Sequence, residues 1–225
     1  MQHTLTPTDF SVLFAFWSDL TPQERTLLEQ RARTETYRAG TILHRANAGC
    51  KGIMAVTAGA LRVYCVSEEG REVTLYRVEA GDVCILSASC LMDSIVFDVL
   101  IEAVGDTAVC LLPADSVHRI EAQNPLVSLF IYKNATEKFS EVLVTLQELL
   151  FMKLDERLAR ALLEESARQH STTLTITHEE LAKQIGSARE VVTRTLQYLA
   201  KEGKVSLSRG KIKLLSPQEL EALHS

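Results

Sequence analysis

The hydrophobic positions of this chain change their period along its length. From about Tyr37 to Val109, apolar and β-branched residues come in short runs, among them Leu61 to Val66 and Val73 to Val78. Gly40, Gly49, Gly52, Gly59, Gly70, Gly81 and Gly105 punctuate them. Runs of this kind between glycine turns read as strands, and so many at regular spacing predict a jelly roll or barrel. Ahead of them Leu20, Leu27, Leu28 and Ala32 keep helical spacing behind Thr21-Pro22, a cap followed by a proline at the first helical position. That helix is expected to pack across the roll.

After Pro125 the period becomes helical and stays so. Leu126, Leu129, Phe130, Phe139, Val142, Leu143, Leu146, Leu149, Leu150 and Leu154 recur at steps of three and four, with neither glycine nor proline between Leu126 and Leu154. A helix of that length spans about 43 Å at 1.5 Å per residue. This exceeds what one small domain covers, so the spacing predicts a seam where two copies pair as a coiled coil. An internal helix lying on the roll is the alternative.

The last change falls between Ile176 and Leu215. Thr177 with Glu180 forms a capping-box pattern ahead of a short helix that buries Leu181 and Ile185. Gly186 breaks it, and Ser187 with Glu190 repeats the pattern ahead of a second helix with the apolar stripe Val192, Leu196 and Leu199. That stripe leaves Arg189, Glu190, Thr193 and Arg194 facing outward near the helix start. A basic hairpin follows, with Leu207 and Ile212 expected to pack it down. One helix fits a DNA major groove, and side chains near its start reach base edges.

Charge changes the picture locally. The whole chain is acidic, with 24 Lys plus Arg against 29 Asp plus Glu. Residues 1–150 hold 12 basic and 19 acidic side chains, a net of −7, whereas residues 151–225 hold 12 and 10, a net of +2. Between Lys183 and Lys213 eight basic residues face two acidic ones, a net of +6. This suits a phosphate-contacting module attached to an acidic domain.

Length and cysteine usage set further bounds. A chain of 225 residues divides most simply into two parts, read here as a sensing roll (1–124) and a winged helix-turn-helix (154–225), joined by a long helix and hinge (125–153). The fold class is α+β. No apolar run approaches the roughly 18 residues of a membrane span, and the start lacks a signal-peptide pattern, so a cytoplasmic location without a membrane partner is expected. Cys50, Cys65, Cys84, Cys90 and Cys110 are odd in number, and a reduced compartment makes a disulfide framework unexpected.

These parts in this order resemble the cAMP receptor protein and fumarate-nitrate regulator superfamily of bacterial transcription factors. In the roll, Ala39 to Leu43, Val56 to Val63, Glu69 to Glu72 and Gly81-Asp82 are similar to its glycine-spaced strands. Phe151 to Leu163 is similar to its hinge, and Arg189-Glu190-Val191-Val192-Thr193-Arg194 to its recognition helix. The resemblance implies a homodimer on double-stranded DNA, with RNA polymerase as a further partner. Arg189 and Arg194 then read guanine and Glu190 reads cytosine, unless Glu190 only closes a capping box with Ser187. Thr177, Ser187, Thr193, Arg209 and Lys211 suit phosphates. Lys153 and Asp155 fall at the hinge, with Asp155 expected as a helix cap.

The sensing end departs from the best-known members. Cyclic-nucleotide binders of the superfamily clamp the phosphate with an Arg-Ser/Thr-Ala element, and here no arginine or lysine occurs between Arg77 and Arg119. A buried cyclic phosphate would lack its charge-assisted bonds. The Thr-Ser pair that contacts adenine aligns with Val142-Leu143, so cAMP is not the expected effector. The iron-sulfur type is also disfavoured, since no cysteine precedes Cys50. An unidentified small-molecule effector is expected among Asp82, Cys84, Ser87, Ser89 and Cys90, facing Thr136, Phe139 and Leu143 of the long helix. Haem, or cysteine redox chemistry, is an alternative input, as is a regulator needing no effector. A cupin-like enzyme is a more distant reading, because His3, His44, His118, His170, His178 and His224 show no metal-ligand spacing.

Overall fold

The computed structural model describes residues 7–44, 51–85 and 99–224. Met1–Tyr64 with Leu75–Val142 form one compact unit, and Cys65–Thr74 with Leu143–Ser225 form the other. The fold is α+β.

In the first unit, helices α1 (Pro7–Leu13) and α2 (Pro22–Arg31) precede the strands. Thr21 caps α2 as its sequence predicts: its hydroxyl accepts from Glu24 N–H, and Glu24 Oε2 accepts from Thr21 N–H at 2.7 Å. Eight strands follow, namely β1 (Arg33–Tyr37), β2 (Ile42–His44), β3 (Gly52–Ala58), β4 (Ala60–Val66), β5 (Glu72–Glu79), β6 (Val83–Cys84), β7 (Leu100–Ala103) and β8 (Thr107–Pro113). They form two four-stranded antiparallel sheets, ordered β1-β8-β3-β6 and β2-β7-β4-β5.

The period-2 alternation of a strand decides where each side chain goes. Met54 and Val56 of β3 and Val109 and Leu111 of β8 join Leu61, Val63 and Ile101 in one buried cluster. The alternate residues Ile53, Ala55, Cys110 and Leu112 point the other way, into a second cluster with Phe14, Trp17, Leu28, Val117 and Ile131. The first sheet is therefore buried on both faces. Its outer cover includes α3 (Ala114–Glu121) and the start of α4 (Pro125–Phe151), where Phe16 and Phe130 meet edge to face at 5.0 Å.

Helix α4 carries the expected long stripe, and much of it is uncovered. Leu129, Tyr132, Phe139, Leu143, Leu146 and Leu150 are exposed, between 42% and 65%, and with exposed Thr136 they step by three and four residues without a break. That is the a/d spacing of a coiled-coil seam. No helix among the described residues is long and apolar enough to cross a membrane.

The helix ends three residues earlier than its apolar pattern suggests. Leu154 opens α5 (Leu154–Gln169) instead of closing α4. Asp155 is not the cap: Lys153 occupies that position, and its N–H donates to Glu156 Oε2 at 3.0 Å. Asp155 sits inside the first turn, where its charge complements the helix dipole. Arg160 pairs with Glu148 at 2.8 Å across the break.

The second unit continues with β9 (Thr173–Leu174), α6 (His178–Ile185), α7 (Arg189–Lys201), β10 (Val205–Ser208), β11 (Lys211–Leu214) and α8 (Pro217–Glu221). Its sheet is ordered β10-β11-β9. Leu158, Leu162, Leu181, Ile185, Val192, Leu196, Leu199 and Ile212 share one buried core, so the predicted stripes of α6 and α7 do face inward.

Candidate nucleic-acid interface

Helix α6 begins with the capping box its sequence announces. Thr177 Oγ1 accepts from Glu180 N–H at 3.1 Å, and Glu180 Oε2 accepts from Thr177 N–H at 2.7 Å. The Thr177 hydroxyl also lies 2.7 Å from Glu180 Oε2, so its proton is directed there and a phosphate would find no donor. At the other end Gly186 takes the left-handed conformation, φ +64°, and Ser187 N–H returns to the Ala182 carbonyl at 2.9 Å. This is a glycine-terminated helix end. A Cβ on Gly186 would lie 2.9 Å from Val73 Cγ2 and 3.2 Å from Leu149 Cδ2.

Helix α7 does not begin as its pattern suggests. Its N-cap is Ala188, without a side-chain capping bond, and Arg189 is its first residue. The turn that follows Gly186 takes up Ser187, so the Ser187–Glu190 box does not form. Glu190 falls at the second helical position, and among the described residues its carboxylate has no partner. Arg189, Glu190 and Arg194 are exposed, and among the described residues none makes an ion pair. Two guanidinium groups and one carboxylate thus project together from the first two turns of a helix whose opposite face is buried.

Other predicted contacts sort by their hydrogen bonds. Thr193 Oγ1 donates to the Arg189 carbonyl at 2.9 Å, so it cannot also donate to a phosphate. Ser187 lies in the α6–α7 turn. In the wing Leu207 pairs with Ile212 and Ser208 with Lys211, leaving Arg209 and Lys211 exposed at the tip. Lys183, counted among the cations of this stretch, is tied to Glu72 at 3.0 Å. Sequence reasoning passed over His178, whose Nδ1 lies 2.9 Å from Thr193 Oγ1. The spacing of fifteen residues carries no local signal.

The described residues place only some of those expected at the sensing site. Cys84 is buried in the inter-sheet core. Asp82 is exposed and accepts from Glu79 N–H at 3.2 Å within its own turn. Thr136, Phe139 and Leu143 belong to the uncovered stripe of α4, and the Thr136 hydroxyl donates to the Tyr132 carbonyl at 2.8 Å. Ser87, Ser89, Cys90, Cys50 and His3 lie outside the described residues, as do the side chains of His44 and His224.

Residues 34–124 match the family described as the cyclic nucleotide-binding domain, and residues 156–223 the Crp-like helix-turn-helix domain. The chain is 31% identical over 174 residues to the transcriptional regulator SdrP of Thermus thermophilus, covering 75% of this chain and 81% of that one. A crp/fnr-family transcriptional regulator from Eubacterium rectale superposes with a TM-score of 0.90 at 41% identity, covering 94% of this chain and 98% of the other.

The chain belongs to the Crp/Fnr family of transcription regulators.

Membership makes α6, α7 and the wing the DNA-binding element of a Crp/Fnr regulator and gives the roll its family type. Among the described cysteines of this Crp/Fnr member, Cys65 and Cys110 are shifted away from thiolate formation. Burial pushes the Cys110 thiol up to about 12 and raises the half-buried Cys65 as well. Reactive thiols depend on lowered values.

Proposed function

We propose that the chain acts as a homodimer on a two-fold DNA site, with α7 of each protomer in successive major grooves. Arg189 and Arg194 read guanine by bidentate bonds to O6 and N7, and Glu190 accepts from cytosine N4. The observation that carries this reading is that Arg189, Glu190 and Arg194 are exposed and make no ion pair among the described residues, at the start of a helix whose other face is buried. Ser187, Arg209 and Lys211 hold the phosphate backbone, whereas the Thr177 and Thr193 hydroxyls shape the helices.

The dimer seam is the stripe Leu129, Tyr132, Thr136, Phe139, Leu143, Leu146 and Leu150. Its unbroken alternation of three and four residues is the supporting observation. A two-fold seam also places two reading helices on one duplex. RNA polymerase is the further partner.

The effector is a small molecule other than cAMP. A relative 27% identical over 205 residues is the cyclic AMP receptor protein of Thermus thermophilus. Between Arg77 and Arg119 this chain has no cation to hold a cyclic phosphate. Selection of duplexes from a random pool by the purified protein tests the DNA reading. Enrichment of a two-fold site with guanines in each half supports it, and an unenriched pool refutes it. Thermal-shift measurements with cyclic nucleotides test the second point, since stabilisation by cAMP would overturn it.

A further inference from the structure

His178 is the first residue of α6, immediately after its cap. Its Nδ1 meets Thr193 Oγ1 at 2.9 Å, and that oxygen lies 2.9 Å from the Arg189 carbonyl. A threonine hydroxyl has one proton, and a carbonyl can only accept. Thr193 therefore donates to the Arg189 carbonyl, and the imidazole must donate Nδ1–H to Thr193. In the neutral ring Nε2 is then a bare acceptor. Protonation adds an Nε2–H donor and leaves the Nδ1 bond intact.

The surroundings keep the ring neutral in the free protein. Burial first, and then the Arg189 charge on α7, hold His178 below its ordinary value. On its own helix Glu180 is engaged by the Thr177 N–H, and Glu179 is exposed.

A docked duplex reverses this balance. In a helix-turn-helix the first helix crosses the phosphate backbone while the start of the second enters the groove, and His178 bridges these two places. A phosphate offers acceptors and negative charge. Thr177 and Thr193 have already committed their protons, so neither hydroxyl can serve it. A neutral imidazole would set acceptor against acceptor, whereas a protonated one makes a charge-assisted bond. A nearby anion also favours the charged ring.

We propose that His178 is a backbone-contacting residue of the DNA interface that takes up a proton when the duplex docks, so that DNA affinity falls as pH rises. The inference rests on α7 being the reading helix.

The experiment uses the full chain and a duplex selected from a random pool by the wild-type protein, titrated from about pH 6 to pH 8 at fixed salt. Binding of the wild type is expected to weaken by up to about tenfold per protomer, the effect of a one-unit rise in the bound value. His178→Gln is expected to bind across the range as wild type does at its alkaline end. His178→Arg carries a permanent donor, and should bind at pH 8 as tightly as wild type at pH 6, with a flat profile. Melting curves establish that both variants fold. A slope in His178→Gln equal to that of the wild type overturns the proposal, as does a wild type with no slope. His178→Arg weaker than His178→Gln at every pH also overturns it, making His178 a positioning residue for Thr193. A pool that yields no enriched duplex refutes the reading of α7 itself.

Discussion

The Lys183 ammonium lies 3.0 Å from the Glu72 carboxylate, and the Lys183 carbonyl accepts from the Thr74 hydroxyl at 3.1 Å. One cation of the basic stretch is thus neutralised before any nucleic acid arrives. Seven cations against two acids remain between Lys183 and Lys213, a net of +5 instead of +6. The exposed ones include Arg189 and Arg194 on α7 and Arg209 and Lys211 in the wing. A partly exposed pair of this kind contributes about 1 kcal/mol at most, so its weight lies in where it holds α6.

Arg189→Ala is expected to cost about 1–3 kcal/mol of DNA binding and to relax specificity at one base position. Competition among duplexes mutated one position at a time measures this. An even loss across all of them would move Arg189 to the phosphate backbone.

Leu143→Glu and Leu146→Glu each place a charge in the α4 stripe. Sedimentation at micromolar concentration should find the wild type at twice 25.0 kDa and either variant at 25.0 kDa. A monomeric wild type refutes the seam.

Gly186→Ala meets two obstacles at once. The left-handed backbone costs a side chain roughly 1–2 kcal/mol, and the new methyl would lie 2.9 Å from Val73 Cγ2. Urea unfolding should show a loss at the upper end of that range or beyond. An unchanged midpoint would mean that the turn relaxes freely.

Thr177→Ala removes the hydroxyl of the capping box and should lower stability by about 0.5–2 kcal/mol. Once folding is accounted for, the salt dependence of DNA binding should match that of the wild type. A shallower dependence would assign the hydroxyl to a phosphate after all.

The stability of the free protein should fall on acidification in part through His178. Its native value is depressed, so just below about pH 6.5 the unfolded chain binds the proton first and the native state loses ground. The loss is complete once pH passes below the native value, and above pH 6.5 the group contributes nothing. His178→Gln should shrink the decline measured by urea unfolding between pH 7 and pH 5; an identical decline refutes the assignment.

Much of this was legible in the sequence because the signals were local. Thr177 and Glu180 are three residues apart, and a capping box needs nothing more. Val192, Leu196 and Leu199 show their face by spacing alone. Where a pattern misled, a neighbour decided the outcome: Gly186 needed the next residue for its turn, so Ser187 could not cap α7. The end of α4 at Phe151 carries neither glycine nor proline, so the apolar spacing runs past it and only the resemblance of Phe151 to Leu163 to a hinge marks the break. The bonds joining His178 to Thr193 and Glu72 to Lys183 span fifteen and over a hundred residues, where no periodicity reaches. The sensing residues rest on positions shared with the family, and such positions carry no information on a local bond like the one Asp82 accepts from Glu79 N–H.

The unit that carries α7 is discontinuous, because residues 65–74 belong to it as well as the chain from Leu143 onward. Val73 sits beside Gly186, and Thr74 and Glu72 hold Lys183. A fragment starting at Leu143 would leave these partners behind. The reading head is therefore no portable cassette: grafted onto another sensor, it would have to bring its hairpin tip with it or find a substitute there.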